Sequence, residues 1–181
     1  MRLLAVTLGV ALTLLLLFFV FQALGFEAAL VGSLSATRGA AAGALSVGLL
    51  VADVVLPVPS SVIMVSNGAW FGVALGSALS TAGGAGATLL ALAIGRSSSE
   101  RLRRFVTPAE HDRASRALRR YGVVALAVTR PIPIVAETFA IVAGASGVGF
   151  ARAALAGVVG TLPVAVFYAW AGATGARIFG N

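Results

Sequence analysis

From Gly39 to Gly95 the chain carries one charge, Asp53, and one break, Leu56-Pro57-Val58-Pro59-Ser60-Ser61. As a single helix that run would reach about 86 Å at 1.5 Å per residue, nearly three times a hydrocarbon core of about 30 Å. Two prolines in three positions forbid the single helix, because neither has an N–H and each ring crowds the preceding turn. Irregular backbone at membrane depth is tolerated only where protein or water covers it. The run therefore predicts a re-entrant helical hairpin over 40–69, with its tip near Asp53 to Ser61, followed by a full span over 71–95. Gly72, Gly76, Ser77, Gly83, Gly84 and Gly86 make that span narrow enough for close helix packing.

The rest of the chain follows the same economy of charge. Of 181 residues, 59% are hydrophobic and 10% are charged, against roughly 25% charged in a soluble domain, so lipid must be the solvent for much of the surface. Leu3 to Leu24 has only Thr7, Thr13 and Gln22 as polar members. It is too long for a signal-peptide core, and Ala23-Leu24-Gly25 is a poor cleavage site. We read it as a retained N-terminal transmembrane helix, joined by a connector to form residues 1–38, with Arg2 holding the N-terminus in the cytoplasm. A membrane domain then occupies residues 39–181.

Residues 96–121 form the polar loop, with eight of the thirteen basic residues, all of them Arg. By the positive-inside rule it is cytoplasmic. Two capping-box patterns occur in it, Ser97-Ser98-Ser99-Glu100 and Thr107-Pro108-Ala109-Glu110. Ala114, Ala117, Leu118 and Tyr121 recur at helical spacing among arginines, as expected of an amphipathic helix on the membrane surface. The net charge of +7 is thus a juxtamembrane feature rather than a nucleic-acid footprint. Trp70, Tyr168 and Trp170 suit interfacial anchors.

Residues 122–149 are apolar and broken again, at Arg130-Pro131-Ile132-Pro133, with Glu137 beyond. This predicts a second re-entrant hairpin. Residues 150–180 supply one further span, or two if Pro163 breaks it. The two Pro-x-Pro breaks occupy matching places in two halves, and interrupted segments so placed point to a transporter-type binding site. With the 96–121 loop cytoplasmic, the first hairpin enters from outside and the second from inside, so the repeats are inverted and their tips meet near the midplane. The expected fold is an all-α polytopic membrane protein with two inverted re-entrant hairpins plus transmembrane helices.

Asp53, Arg130 and Glu137 are the only ionisable side chains deep in these apolar segments. A charge at the bilayer centre costs about 2.5–3.5 kcal/mol on insertion scales, so it faces an interior cavity and has a partner. Arg130 offers a planar fork suited to a phosphate. Half-helices restarting after Pro57-Val58-Pro59 and Pro131-Ile132-Pro133 aim free N–H groups at the same place. Ser60, Ser61 and Thr138 add hydroxyls. An anionic headgroup site and a structural Asp53–Arg130 ion pair both fit this set. Asn67 is read as a turn residue, with Gly68 and Ala69.

No cysteine is present and His111, in the polar loop, is the single histidine. Thiolate chemistry, a metal site and a Ser/His/Asp set are thereby excluded as expectations, and neither enzyme activity nor a cofactor is expected.

Over roughly Leu45 to Phe179 the chain resembles the DedA/VTT-domain (SNARE-associated) family. The carriers are the acid before Leu56-Pro57-Val58-Pro59, Asn67-Gly68-Ala69, Ile94-Gly95-Arg96, and Arg130-Pro131-Ile132-Pro133 followed by Ala143-Gly144. The resemblance implies opposed re-entrant hairpins, movement or scrambling of phospholipids or polyprenyl-phosphate carriers, and proton dependence. By the same resemblance Asp53 matches the family's intramembrane acid and Arg130 the first Arg of its Arg-x-x-Pro motif. Ser60 and Ser61 stand where many members have a second acid, and Ala136 where many have a second Arg. The expected function is a lipid transporter or scramblase of the bacterial plasma (inner) membrane, with membrane lipids as partners and a proton as coupling ion. A transporter of a small solute and a non-transporting scaffold are the alternatives.

Overall fold

The computed structural model describes residues 39–56, 58–98, 124–129 and 133–179, together with Gly9, Leu12, Leu16 and Val20. Among them there is helix and no strand. The four N-terminal positions are helical and exposed. The rest of the stretch predicted as N-terminal helix and connector, and the predicted polar loop beyond Ser98, with His111 and both Glu members of its capping-box patterns, lie outside the described residues.

Helix α1 spans Ala40–Ala52. At about 20 Å it is too short to cross the hydrocarbon core. It stops because Pro57 and Pro59 cannot donate into a helical ladder. The break is economical in polar groups. Val55 and Leu56 N–H both reach the Ala52 carbonyl, at 2.8 and 2.7 Å. Val58 N–H is taken by Asp53 Oδ1 at 3.0 Å, and Pro59 brings no donor to satisfy.

Helix α2 spans Ser60–Ser97 and is folded sharply at Gly72, whose φ of 74° and ψ of 177° lie outside the helical region. Only glycine takes that conformation without a Cβ penalty. In a straight helix residues 67 and 80 would stand about 20 Å apart. Here Asn67 Nδ2 donates to Ser80 Oγ at 3.0 Å, so residues 60–71 lie back along residues 73–97. The fold-back is thus at Gly72, not at Asn67-Gly68-Ala69, which are helical. The predicted hairpin 40–69 becomes α1 plus residues 60–71. The span, predicted over 71–95, occupies 73–97 and reaches about 37 Å.

Its tip lies halfway along that span. A methyl group on Gly83 would press on Leu50, and one on Gly86 on Val51, while Ser60 and Met64 share a pocket with Gly84 and Ala87.

Helix α3 spans Pro133–Ala145 and runs from the middle of the long arm to its Arg96 end. A methyl on Gly144 would strike the Leu92 carbonyl, and one on Gly95 the Ile141 carbonyl. Residues 124–128 are helical before it. Leu126 there is fully buried with Leu92, Ala140 and Val54 in one cluster. Helix α3 ends in a Schellman turn. Val148 N–H bonds the Ala143 carbonyl, Gly147 N–H bonds that of Gly144, and Gly147 takes φ 82°.

Helix α4 spans Phe150–Phe179 without interruption, Pro163 lying inside it and exposed. The option that Pro163 splits this stretch into two spans is therefore corrected. Proline removes one N–H bond, and packing on either side of it, of Thr161 on Gly84 and of Val164 on the cluster of Leu50, Ile63 and Met64, holds the helix together. Gly157 abuts Thr88, Thr161 abuts Gly84 and Ala169 abuts Gly68, so α4 runs antiparallel to the long arm of α2. Among the described residues two helices, Ser60–Ser97 and Phe150–Ala176, have the length and apolarity of membrane spans.

Candidate functional site

The two hairpins approach from opposite ends of α2 and α4 and deliver their residues to one pocket. Asp53 and Ser60 come from the first and Glu137 from the second. Gly84, Ala87, Thr161 and Val164, midway along the two long helices, complete its wall, with Leu50 and Met64. The pocket holds about 40 Å³.

Local sequence explains each placement. Asp53 sits where α1 stops, and its carboxylate accepts the Val58 N–H, which fixes it beside the restart of α2. Ser60 is the first residue of that restart, and its N–H is taken by the Val58 carbonyl at 2.8 Å, while the Pro59 carbonyl accepts from Val62 and Ile63. Glu137 lies about one turn into α3, 8% exposed, beside buried Ala136 and Thr138. Gly84 is bare because Thr161 occupies the space a side chain would need: its hydroxyl would lie 2.7 Å from a Cβ there. Both carboxylates and Thr138 are partnered in the fold.

Three further residues of the predicted set are described. Ser61 is exposed and does not join the pocket wall. Pro59 caps α2. Pro133 opens α3. Arg130, Pro57 and Pro131 lie outside the described residues. Sequence reasoning overlooked Thr161 and Met64. A threonine two positions before a proline in an apolar helix is a faint signal, and a methionine is none. Asn67 is also different from expectation. It is not a turn residue but fully buried, bridging the two arms of α2.

At one end of the bundle Arg96 Nη2 donates to the Val148 carbonyl at 2.9 Å, and the guanidinium stands 4.2 Å over the Phe150 ring. This ties the close of the span to the turn that ends the second hairpin. At the other end Trp70 and Trp170 are exposed, 42% and 55%, where Gly68 meets Ala169. One end is thus aromatic and the other basic, as for a bundle set between two interfaces.

No curated protein and no solved structure matches the chain. A family model does: the VTT domain matches residues 58–174, from the tip of the first hairpin through most of α4. With opposed helical hairpins meeting between two apolar spans, and that match over well over half of the 181 residues, the chain belongs to the VTT-domain (DedA) family of membrane proteins, whose role is transporter-like.

Proposed function

We propose that the protein moves a phosphate-bearing lipid, a phospholipid or a polyprenyl-phosphate carrier, across the bacterial plasma membrane, with both hairpins re-entrant and the Arg96 end cytoplasmic. The observation that carries this reading is the convergence of Asp53 and Ser60 from one hairpin with Glu137 from the other, midway along both long helices. A site so placed is reachable in turn from either leaflet by small movements of one hairpin against the other, which is the logic of inverted-repeat transporters. Arg130 immediately precedes Pro131 in the sequence, and its planar guanidinium is the group of the set suited to grip a phosphate. Asp53 and Glu137 counter its charge between transport events and carry the coupling proton. No covalent chemistry is required of the chain.

A second reading has one observation in its favour. A pocket of about 40 Å³ admits a water or a small ion rather than a phosphate headgroup, since a water needs roughly 10–15 Å³ on this measure. On the lipid reading the pocket is the occluded state and widens when a hairpin moves. On the second it is the binding site for a small solute.

Lipid flip-flop in proteoliposomes decides between them, read with a head-labelled phospholipid or polyprenyl phosphate and an impermeant quencher. Wild type is expected to accelerate flip-flop of one of them, and Arg130→Ala at equal folded yield is expected not to. If wild type matches empty liposomes for both lipids, the lipid reading is wrong.

A further inference from the structure

Among the described residues, three buried side-chain polar atoms have no hydrogen-bond partner: Asn67 Oδ1, Thr81 Oγ1 and Thr161 Oγ1. Their residues are 0%, 8% and 3% exposed. They are not scattered. Thr161 lines the pocket and faces Gly84. Thr81 lies one helical turn from Gly84 toward the Gly72 fold. Asn67 comes next, through Ser80, to which its Nδ2 donates. Buried hydroxyls and amides are satisfied by protein or by ordered water in nearly every case, and a buried water characteristically bridges such groups. The pocket itself, at about 40 Å³, exceeds the roughly 10–15 Å³ that one water needs.

The other side of the pocket is different. Toward Arg96 the bundle is filled by Ala91, Leu92, Leu126, Ala140 and Ala143, all 0% exposed. It is closed by backbone contact at Gly95 with Ile141 and at Gly144 with Leu92. Thr88, on that side of Gly84, donates its hydroxyl to the Gly84 carbonyl at 2.9 Å. A dry, close-packed plug has no place for water.

We propose that Asn67, Ser80, Thr81 and Thr161 form a hydrated seam that joins the Asp53–Glu137 pocket to the Gly72 end of the bundle, while the Arg96 end is sealed. The structure is then a state closed to a headgroup whose pocket still draws water from the outer face. Its use in transport rests on the reading above, but the seam is tested by water alone.

Radiolytic hydroxyl-radical labelling of the full chain in proteoliposomes tests it, with no lipid movement measured. Met64 lines the pocket and is 8% exposed, so radicals born on bound water oxidise it where bulk solvent does not reach. Wild-type Met64 is expected to form sulfoxide readily. The Thr81→Val/Thr161→Val variant is expected to lose most of that yield and Thr161→Ser to keep it. Unreactive Met64, or oxidation unchanged in the double valine variant, overturns the seam. Sidedness is read separately, because the chain has no cysteine. Thr81→Cys is expected to react with a small methanethiosulfonate and Ala91→Cys not to. Equal reactivity, or the reverse order, overturns the one-sided access.

Discussion

Asp53 and Glu137 belong to opposed hairpins and to opposite halves of the chain, yet they line one pocket, which neither hairpin forms alone. The two carboxylates are held differently. Asp53 is anchored locally, by the Val58 N–H. Glu137 is placed by the burial of α3 against α2.

That difference predicts a split between variants at position 53. Asp53→Asn keeps an oxygen for the Val58 N–H and is expected to fold normally while losing transport. Asp53→Ala removes the acceptor and is expected to cost about 1–2 kcal/mol as well, the usual effect of orphaning a buried donor. Thermal unfolding in detergent beside flip-flop in liposomes separates the two. Full transport by Asp53→Asn would show that transport does not need the charge at position 53.

Glu137→Gln preserves size and hydrogen-bonding shape. It is expected to leave folded yield unchanged and to abolish transport driven by a proton gradient. The measurement is uptake or flip-flop with and without an imposed gradient. Wild-type gradient dependence in the variant would remove Glu137 from coupling.

At the fold of α2, Gly72→Ala places a Cβ at φ 74° and is expected to destabilise by about 1–2 kcal/mol. Gly48→Ala is the control: it lies mid-helix with nothing near its missing Cβ, and alanine is expected to stabilise it by up to about 1 kcal/mol. Equal shifts in unfolding temperature would mean that Gly72 does not turn the chain.

Across the same fold, Asn67 and Ser80 should couple. A double-mutant cycle with Asn67→Ala and Ser80→Ala is expected to return about 0.6–1.7 kcal/mol, the range found for hydrogen bonds between membrane helices. Strict additivity would place the two arms apart.

Gly144→Ala drives a methyl into the Leu92 carbonyl and is expected to cost about 1–3 kcal/mol, as overpacking does. Gly149→Ala, with open space around it, is expected to be silent. Circular dichroism melts of the two variants compare them directly.

The sequence by itself determined where helices must stop, which stretches are long enough to span, and which end carries the positive charge. Those properties are local. Proline lacks a donor wherever it stands, and an apolar stretch of given length has the same cost in water in any fold. The opposed halves were legible for the same reason, since Pro57-Val58-Pro59 and Pro131-Ile132-Pro133 are local breaks that happen to repeat. Only the tertiary structure decided that the chain folds back at Gly72 rather than at Asn67-Gly68-Ala69. Both stretches contain a glycine, and the choice depends on which helix each glycine meets: Gly68 is consumed by close contact with Ala169, which leaves Gly72 free to turn. Tertiary structure likewise buried Asn67 and brought Thr161 into the pocket. In lipid every face of a helix is apolar, so periodicity does not mark the inward one. Which hydroxyl faces a carboxylate is settled only when two helices come close enough for a bare glycine to make room.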